Sequence, residues 1–201
     1  MTYRAGLILT HGAGSNKDAP LLVALAQLFH KTRILVERVN LPFRERKPFG
    51  PPLPVSAVED RNGLRMAAAR MRERTAGPVF LGGHSYGGRQ SSILLAEDST
   101  VAEALLLLSY PLHPPKKPHQ LRTAHFDNLL TPVLFVQGTN DPFGSIQELE
   151  DALAAIPAKK HLSIVEGAGH DLARGEFDMQ KLVVGPFLAL IDFSAKIAQR
   201  S

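Results

Sequence analysis

Short runs of apolar residues alternate along the chain with longer segments in which apolar residues recur at helical spacing. The apolar runs contain few polar positions, which is typical of parallel strands that are buried on both faces. We predict strands at residues 6–10, 34–39, 79–81, 104–108, 132–136 and 162–165. We predict helices at residues 21–30, 55–74, 86–97, 144–155 and about 176–199, the last with a break at Gly185-Pro186 left open.

This alternation of strand and helix predicts an α/β protein, a three-layer α/β/α sandwich whose sheet has about six mostly parallel strands. Asp18 stands where the first helix would take its N-cap. Residues 40–54 contain five prolines and are predicted to form a loop. We find no inter-domain linker, so residues 1–201 are expected to form one domain. In such folds ligands bind beyond the carboxyl ends of the strands, which makes the loops there the candidate site.

The composition of the chain excludes several kinds of site and partner. The 201 residues include no cysteine, which excludes disulfides, thiolate metal ligands and a cysteine nucleophile. The net charge of +4 comes from scattered basic residues, so we expect a solvated surface and no nucleic-acid partner. No apolar run approaches the roughly 20 residues of a membrane span, and the N-terminus lacks a signal-peptide core. We therefore expect a soluble, cytoplasmic protein without a membrane partner, either a monomer or a homodimer.

A single serine stands between glycines in the stretch FLGGHSYGG. Ser85 follows a predicted strand and precedes a predicted helix, which is the context that a nucleophile elbow requires. The flanking Gly83 and Gly87 would let strand and helix pack closely, and the helix N-terminus adds a partial positive charge. The alternative is a glycine-rich turn whose serine only caps the helix.

A serine nucleophile needs a base and an acid, and two loops supply candidates. His170, in GAGHDL, follows the last predicted strand, and its flanking glycines would let it reach Ser85. Asp141, in QGTNDPFG, follows the fifth strand, although an aspartate before proline is also a common turn residue. The chain order Ser85, Asp141, His170 is that of the α/β-hydrolase triad. A solvated role for His170 is the competing interpretation.

An oxyanion formed at Ser85 would need two donors. The backbone N–H of Tyr86 is one candidate, and Ala13 in the loop His11-Gly12-Ala13-Gly14 is the other. A phosphate-binding role for this loop is disfavoured because no Gly-Lys-Ser/Thr follows it.

On these residues the sequence resembles the α/β-hydrolase superfamily, and within it the small lidless dienelactone-hydrolase-like enzymes. The matching stretches are LILTHGAG, FLGGHSYGG, LLLLSYPLHPP, LFVQGTNDPFG and GAGHDL, which span nearly the whole chain. The resemblance implies that Ser85 is the nucleophile, Asp141 the acid and His170 the base, with Ala13 and Tyr86 at the oxyanion hole. Dienelactone hydrolases proper use a cysteine nucleophile, where this chain has serine.

The resemblance also implies a six-stranded sheet and, with about 22 residues between the fourth and fifth strands, no cap domain. The site should then be open and shallow. Its expected substrate-lining residues are Gly12, Gly14, Phe43, Arg44, His84, Tyr110, Leu112 and His113. Arg44 and Arg46 could reach an anionic substrate, although surface solvation is the simpler role for both.

Three functions follow as hypotheses. The first is a serine hydrolase that cleaves a carboxylic ester or thioester of a small-molecule acyl substrate, with no metal or organic cofactor implied. The second is a catalytically silent binding or scaffold protein that keeps the fold. The third, a nucleic-acid binder, is suggested by the charge alone and predicts a contiguous basic stripe.

Overall fold

All six strands lie parallel in one sheet. The computed structural model describes residues 3–172 and 175–192. The strands are β1 Ala5–Thr10, β2 Ile34–Val39, β3 Val79–His84, β4 Ala104–Leu108, β5 Val133–Gly138 and β6 Lys160–Val165. Their order in the sheet is β2-β1-β3-β4-β5-β6. The order reverses between β1 and β3, and α/β sheets bind their ligands at such a switch point.

Helices cover both faces of the sheet. They are α1 Pro20–His30, α2 Pro42–Arg46, α3 Ser56–Arg74, α4 Tyr86–Glu97, α5 Ile146–Leu153 and α6 Gly185–Leu190. Side chains of β4 alternate between two cores: Leu105 and Leu107 pack with α3 and α4, while Leu106 packs with α1 and α6. The predicted three-layer sandwich is confirmed, and within the described residues no element forms a cap over the sheet.

Two regions differ from the sequence-based predictions. The proline-rich segment predicted as a loop contains the short helix α2, which begins at Pro42, where a missing N–H and a fixed φ suit the first helical turn. Asp18 is not the N-cap of α1. That position belongs to Ala19, and the Asp18 carboxylate instead pairs with Arg38 at 2.9 Å.

The last predicted helix is shorter than expected within the described residues. A π-helical turn at Gln180–Val184 leads into α6, which ends at Leu190. Pro186 has no N–H to donate, which disrupts the α-helical bonding pattern and accommodates the wider turn before it. The rest of the predicted helix, residues 193–199, lies outside the described residues. Each helix within residues 3–172 and 175–192 is too short or too polar to span a membrane.

Candidate active site

Ser85 lies on a sharp turn between β3 and α4. Its backbone has φ 51° and ψ −117°, a conformation that L-residues rarely adopt. The Ser85 N–H donates to the Leu108 carbonyl at 2.8 Å, which fixes the turn to the end of β4. Strand and helix approach closely here, since a Cβ added to Gly83 would lie 2.5 Å from the Gly88 nitrogen. Such a strained turn between a strand and a helix is the geometry of a nucleophile elbow.

His170 brings the loop after β6 to this serine. Its Nε2 lies 2.8 Å from the Ser85 Oγ, and its Nδ1 lies 2.8 Å from the Asp141 Oδ2. A proton on Nδ1, donated to the carboxylate, leaves Nε2 free to accept the serine hydroxyl. The Phe143 ring packs against the imidazole with 4.2 Å between ring centroids. The ring is therefore fixed by a bond at each nitrogen and by a neighbour on its face.

The Asp141 side chain is fully buried and well supplied with donors. Its Oδ1 accepts the Phe143 N–H at 2.9 Å, and its Oδ2 accepts the Gln137 amide at 2.9 Å as well as His170. Buried carboxylates need such compensation because burial removes their hydration. The turn that follows β5 places Asp141 here, through its N–H bond to Gly138.

His84 is hydrogen-bonded to the backbone of His170. Its Nε2 lies 2.7 Å from the His170 carbonyl oxygen, so Nε2 carries the proton and donates it. Burial lowers the pKa of His84 to about 4, so its ring is neutral near pH 7. His84 therefore holds the backbone of the candidate base.

The loop after β1 lies against Ser85. A Cβ added to Gly12 would come within 2.9 Å of the His84 Nδ1 and 3.4 Å of the Ser85 Cβ, so only glycine fits there. The His11 Nε2 accepts the Leu41 N–H at 3.1 Å, which leaves Nδ1 to donate to the Gly12 carbonyl at 2.8 Å. Burial lowers the pKa of His11, consistent with this neutral tautomer. Ala13 is the next residue in this loop, whose preceding residues are held by the contacts of His11 and Gly12.

Tyr86 is the first residue of α4, where a backbone N–H has no partner within the helix. Its phenol donates to the Asp60 Oδ2 at 2.8 Å, and the Asp60 Oδ1 accepts the Phe43 N–H at 2.9 Å. Burial raises the pKa of the Asp60 carboxyl, while these two donors oppose the rise. Asp60 thereby ties α3 to the elbow and to α2.

Arg44 is buried rather than solvated, and it joins two loops. Its guanidinium donates to the carbonyls of Ala13 at 2.6 Å, Ser15 at 2.8 Å, Lys47 at 3.0 Å and Gly50 at 3.0 Å. These bonds use four of the five guanidinium N–H groups, so Arg44 stabilises the loop that carries Ala13. Arg46, in contrast, is exposed and pairs with Glu59.

Several predicted lining residues are packed inside the protein. Phe43, Tyr110, Leu112 and His113 have exposed fractions of 5% or less, so they present almost no surface to a substrate. The Tyr110 hydroxyl donates to the Arg122 carbonyl at 2.6 Å. Gly12 and His84 contact the serine turn from the protein side, and Gly14 is exposed. The contacts of the structure thus join Ser85, Asp141, His170, His84 and Gly12. Ala13 and Tyr86 are the chain neighbours of Gly12 and Ser85.

Sequence reasoning missed the side chains that hold this arrangement in place. The roles of Asp60 and Arg44 become visible only through contacts between distant segments, whereas Gln137 and Phe143 lie within four residues of Asp141. Phe143 would have been the easiest of these residues to predict, since it stands two residues after Asp141 in the same turn. A depression of about 470 Å³ lies at the opposite edge of the sheet, near Thr100 and Pro132, and takes no part in the site.

Comparison with known proteins agrees with this fold. The family model described as an alpha/beta hydrolase domain matches residues 3–181, and the chain belongs to that family. A dienelactone hydrolase from Anabaena variabilis is 20% identical, with a TM-score of 0.69 over 94% of this chain and 84% of that one.

Two further solved structures have the same fold. A lidless α/β serine hydrolase from Xanthomonas campestris is 18% identical, with a TM-score of 0.73 over 96% of this chain and 83% of its own. Est1E from Butyrivibrio proteoclasticus is 14% identical, with a TM-score of 0.73 over 100% of this chain and 90% of its own. The dienelactone-hydrolase-like, lidless fold predicted from the sequence is confirmed, and membership of the family supports a hydrolase.

Proposed function

We propose that the protein is a serine hydrolase that cleaves a carboxylic ester or thioester of a small-molecule substrate through an acyl-enzyme. One observation carries the proposal: the Ser85 Oγ, on its strained turn, lies 2.8 Å from the His170 Nε2, whose other nitrogen lies 2.8 Å from Asp141. Serine is unreactive near neutral pH unless a base takes its proton, and this arrangement supplies one.

The reaction would run in two halves. Ser85 Oγ attacks the substrate carbonyl carbon while its proton passes to His170 Nε2, and the resulting oxyanion accepts bonds from the Ala13 and Tyr86 N–H groups. Collapse of this intermediate breaks the ester or thioester bond, and the leaving group takes the proton from His170. Water then attacks the acyl-enzyme, with His170 again as base, and releases the acid and free Ser85. Asp141 stabilises the imidazolium in both halves.

A second candidate is a binding or scaffold protein that keeps the fold without turnover. The observation in its favour is that Tyr110, Leu112 and Phe43, which the sequence offered as substrate-lining residues, are buried. The fixed orientation of His170 argues against it, because a protein that only binds has no need for bonds at both imidazole nitrogens.

Hydrolysis of a series of p-nitrophenyl esters of increasing chain length tests the proposal. We expect turnover by the wild type and losses of about 10⁴-fold or more in kcat for Ser85→Ala and for His170→Ala. Ser145→Ala is the matched control, since Ser145 only caps α5 and lies outside the site. Turnover that is equal in wild type and Ser85→Ala would contradict the role of Ser85, and no turnover by demonstrably folded wild type would favour the binding protein.

A further inference from the structure

Strand β6 forms one edge of the sheet. Within residues 3–172 and 175–192, β5 is its only neighbouring strand. The carbonyls of Lys159 and Val165 face that neighbour, since they accept the N–H groups of Val133 at 3.0 Å and of Thr139 at 3.2 Å. Residues along a strand direct their backbone groups alternately to its two sides. The residues of β6 whose N–H and C=O groups face outward are therefore Lys160, Leu162 and Ile164.

The middle of this edge carries no charge. An edge strand exposes unpaired backbone groups, and proteins usually protect it with charged side chains or prolines. The opposite edge strand, β2, follows this rule, because Glu37 and Arg38 both form ion pairs there. In β6, by contrast, residues 162–165 are uncharged, and Ile164 is 41% exposed. An exposed isoleucine on an open edge is a template for pairing with another strand.

The charges at the two ends of β6 identify a partner for this edge. Lys160 begins the strand and Glu166 follows its last residue, so one end is positive and the other negative. Among the described residues neither side chain forms an ion pair: the Lys160 Nζ donates to the Ile156 carbonyl at 2.6 Å, and Glu166 accepts the Thr139 hydroxyl at 3.4 Å. A strand with opposite charges at its ends is complementary to an antiparallel copy of itself.

We infer that two copies of the chain pair through β6, antiparallel across a twofold axis at Ser163. In an antiparallel pair, two residues that lie opposite each other exchange both N–H···O bonds when their backbone groups face the partner strand. The axis at Ser163 meets this condition, because it places Leu162 opposite the partner's Ile164. It also places Lys160 opposite the partner's Glu166 at each end. The pairing does not depend on the proposed hydrolysis.

Two neighbouring registers keep the backbone bonds but lose the match of the side chains. An axis at Leu162 places Lys160 opposite the partner's Ile164. An axis at Ile164 places Leu162 opposite the partner's Glu166. Each of these registers sets a charge against an apolar side chain, whereas the axis at Ser163 joins apolar with apolar and cation with anion. Cross-strand pairs of those two kinds stabilise a sheet.

The apolar pair extends a core that already exists. Leu162 is half-buried and packs against the cluster that contains Leu149 and Leu153 of α5, whereas Val165 belongs to the cluster on the other face. Successive side chains of a strand point to opposite faces, so Ile164 lies on the same face as Leu162. A second copy therefore covers both side chains, while the backbone bonds along the joined edges supply affinity.

Reversal of one charge at a time tests this register in solution. One strand per partner makes a small interface, so we expect a Kd on the order of 10 µM and dimers of the wild type at about 100 µM in sedimentation velocity. Lys160→Glu sets carboxylates opposite each other, and Glu166→Lys sets ammonium groups opposite each other. Each variant alone should have a Kd at least about tenfold higher. An equimolar mixture of the two should regain the wild-type Kd, because each carboxylate then faces an ammonium group.

Lys31→Glu is the matched control for these variants. Lys31 is an exposed lysine at the C-cap of α1, near the start of the opposite edge strand, and this variant should dimerise like the wild type. Three results would each overturn the inference: wild type that sediments as a single chain at about 100 µM, a dimer that survives Lys160→Glu or Glu166→Lys, or a mixture of those variants that does not regain the wild-type Kd.

The absence of cysteine from the sequence permits a second test, of the axis itself. Ser163→Cys sets one thiol opposite its own copy in a pair without backbone bonds, where Cα atoms are about 4.5 Å apart and a disulfide can form. We expect mild oxidation to join two chains covalently. Ser99→Cys, at an exposed serine after α4, is the control and should remain a single chain. Equal crosslinking of the two variants, or none in Ser163→Cys, would overturn the inference.

Discussion

At the scale of single residues, the site combines one strained backbone position, Ser85, with several residues whose bonds restrict its movement. Ser85 has φ 51° and ψ −117°, and the bonds of its neighbours hold it there. Such backbone conformations cost on the order of 1–3 kcal/mol and persist only where the surroundings over-determine them. The strain is therefore expected to lower stability in exchange for exposing the hydroxyl.

Substitution of Ser85 measures this strain directly. Glycine adopts positive φ without a Cβ penalty, whereas alanine retains the penalty. We expect Ser85→Gly to unfold with a free energy about 1 kcal/mol higher than Ser85→Ala, although both remove the hydroxyl. Denaturant unfolding of the two variants gives the difference. Equal stabilities, or a more stable alanine variant, would show that the turn is not strained.

Gln137, near the end of β5, contacts both Asp141 and the Gly144 carbonyl, the latter at 3.4 Å. Its amide donates to the Asp141 Oδ2 at 2.9 Å, while its own Oε1 is buried without a partner. We expect Gln137→Met to reduce kcat about tenfold, because Asp141 loses a donor, and to change stability by less than about 1 kcal/mol. Ester turnover and denaturant unfolding measure both. Gln147→Met is the control, since Gln147 is on the surface. Equal kcat values in the two variants would show that Gln137 does not assist Asp141.

At the scale of elements, the site depends on how loops are tied to the sheet. The sequence predicted β2, β4 and α4 with the observed bounds. It placed the end of β3 at Leu81 rather than His84, because glycine and histidine carry no strand signal. Helix α2 was missed since five residues are too few to show a helical period.

Arg44 shows why the second layer of the site could not be predicted. A basic residue in a charged cluster is usually solvated, and only the fold reveals that Arg44 donates to carbonyls of two distant loops. By contrast, the positions of Ser85, Asp141 and His170 follow from a local rule, since each comes directly after a strand of a parallel sheet. The candidate catalytic residues could therefore be predicted from the sequence, whereas the residues that hold them in place could not.

Removal of the Arg44 guanidinium should loosen the loop that carries Ala13. We expect Arg44→Met to lower the free energy of unfolding by about 2 kcal/mol or more and to reduce kcat, because four bonds to carbonyls are lost. Arg46→Met removes only an exposed ion pair with Glu59 and should cost less than about 1 kcal/mol. Thermal unfolding and ester turnover compare them. Similar losses of stability and kcat in both variants would show that Arg44 does not hold the Ala13 loop in place.

At the scale of the whole molecule, stability should depend on pH through buried neutral histidines. The pKa values of His84 and His125 are lowered from 6.5 to about 4, by burial first. Below pH 6.5 the unfolded chain binds protons that the folded chain does not, so stability is full above pH 6.5 and falls toward pH 4. Each histidine can contribute up to about 3 kcal/mol to this fall.

Urea unfolding at pH 7 and pH 5 measures the dependence. We expect wild-type stability to be lower at pH 5, and the drop to be about 1–2 kcal/mol smaller in His125→Gln, which removes one of the buried histidines whose pKa is lowered. His161→Gln, at an exposed histidine, should leave the drop unchanged. A drop that is the same in all three proteins would show that His125 is not protected from protonation in the folded state.

The proposed hydrolysis depends on Ser85 acting as a nucleophile that His170 activates. A fluorophosphonate probe tests it most directly, because the serine oxygen must displace fluoride to form a stable bond to phosphorus. We predict one probe per chain by intact mass, located at Ser85 by peptide mapping, with labelling nearly lost in His170→Ala. Absence of labelling in folded wild type, or labelling that persists in Ser85→Ala, would contradict the account.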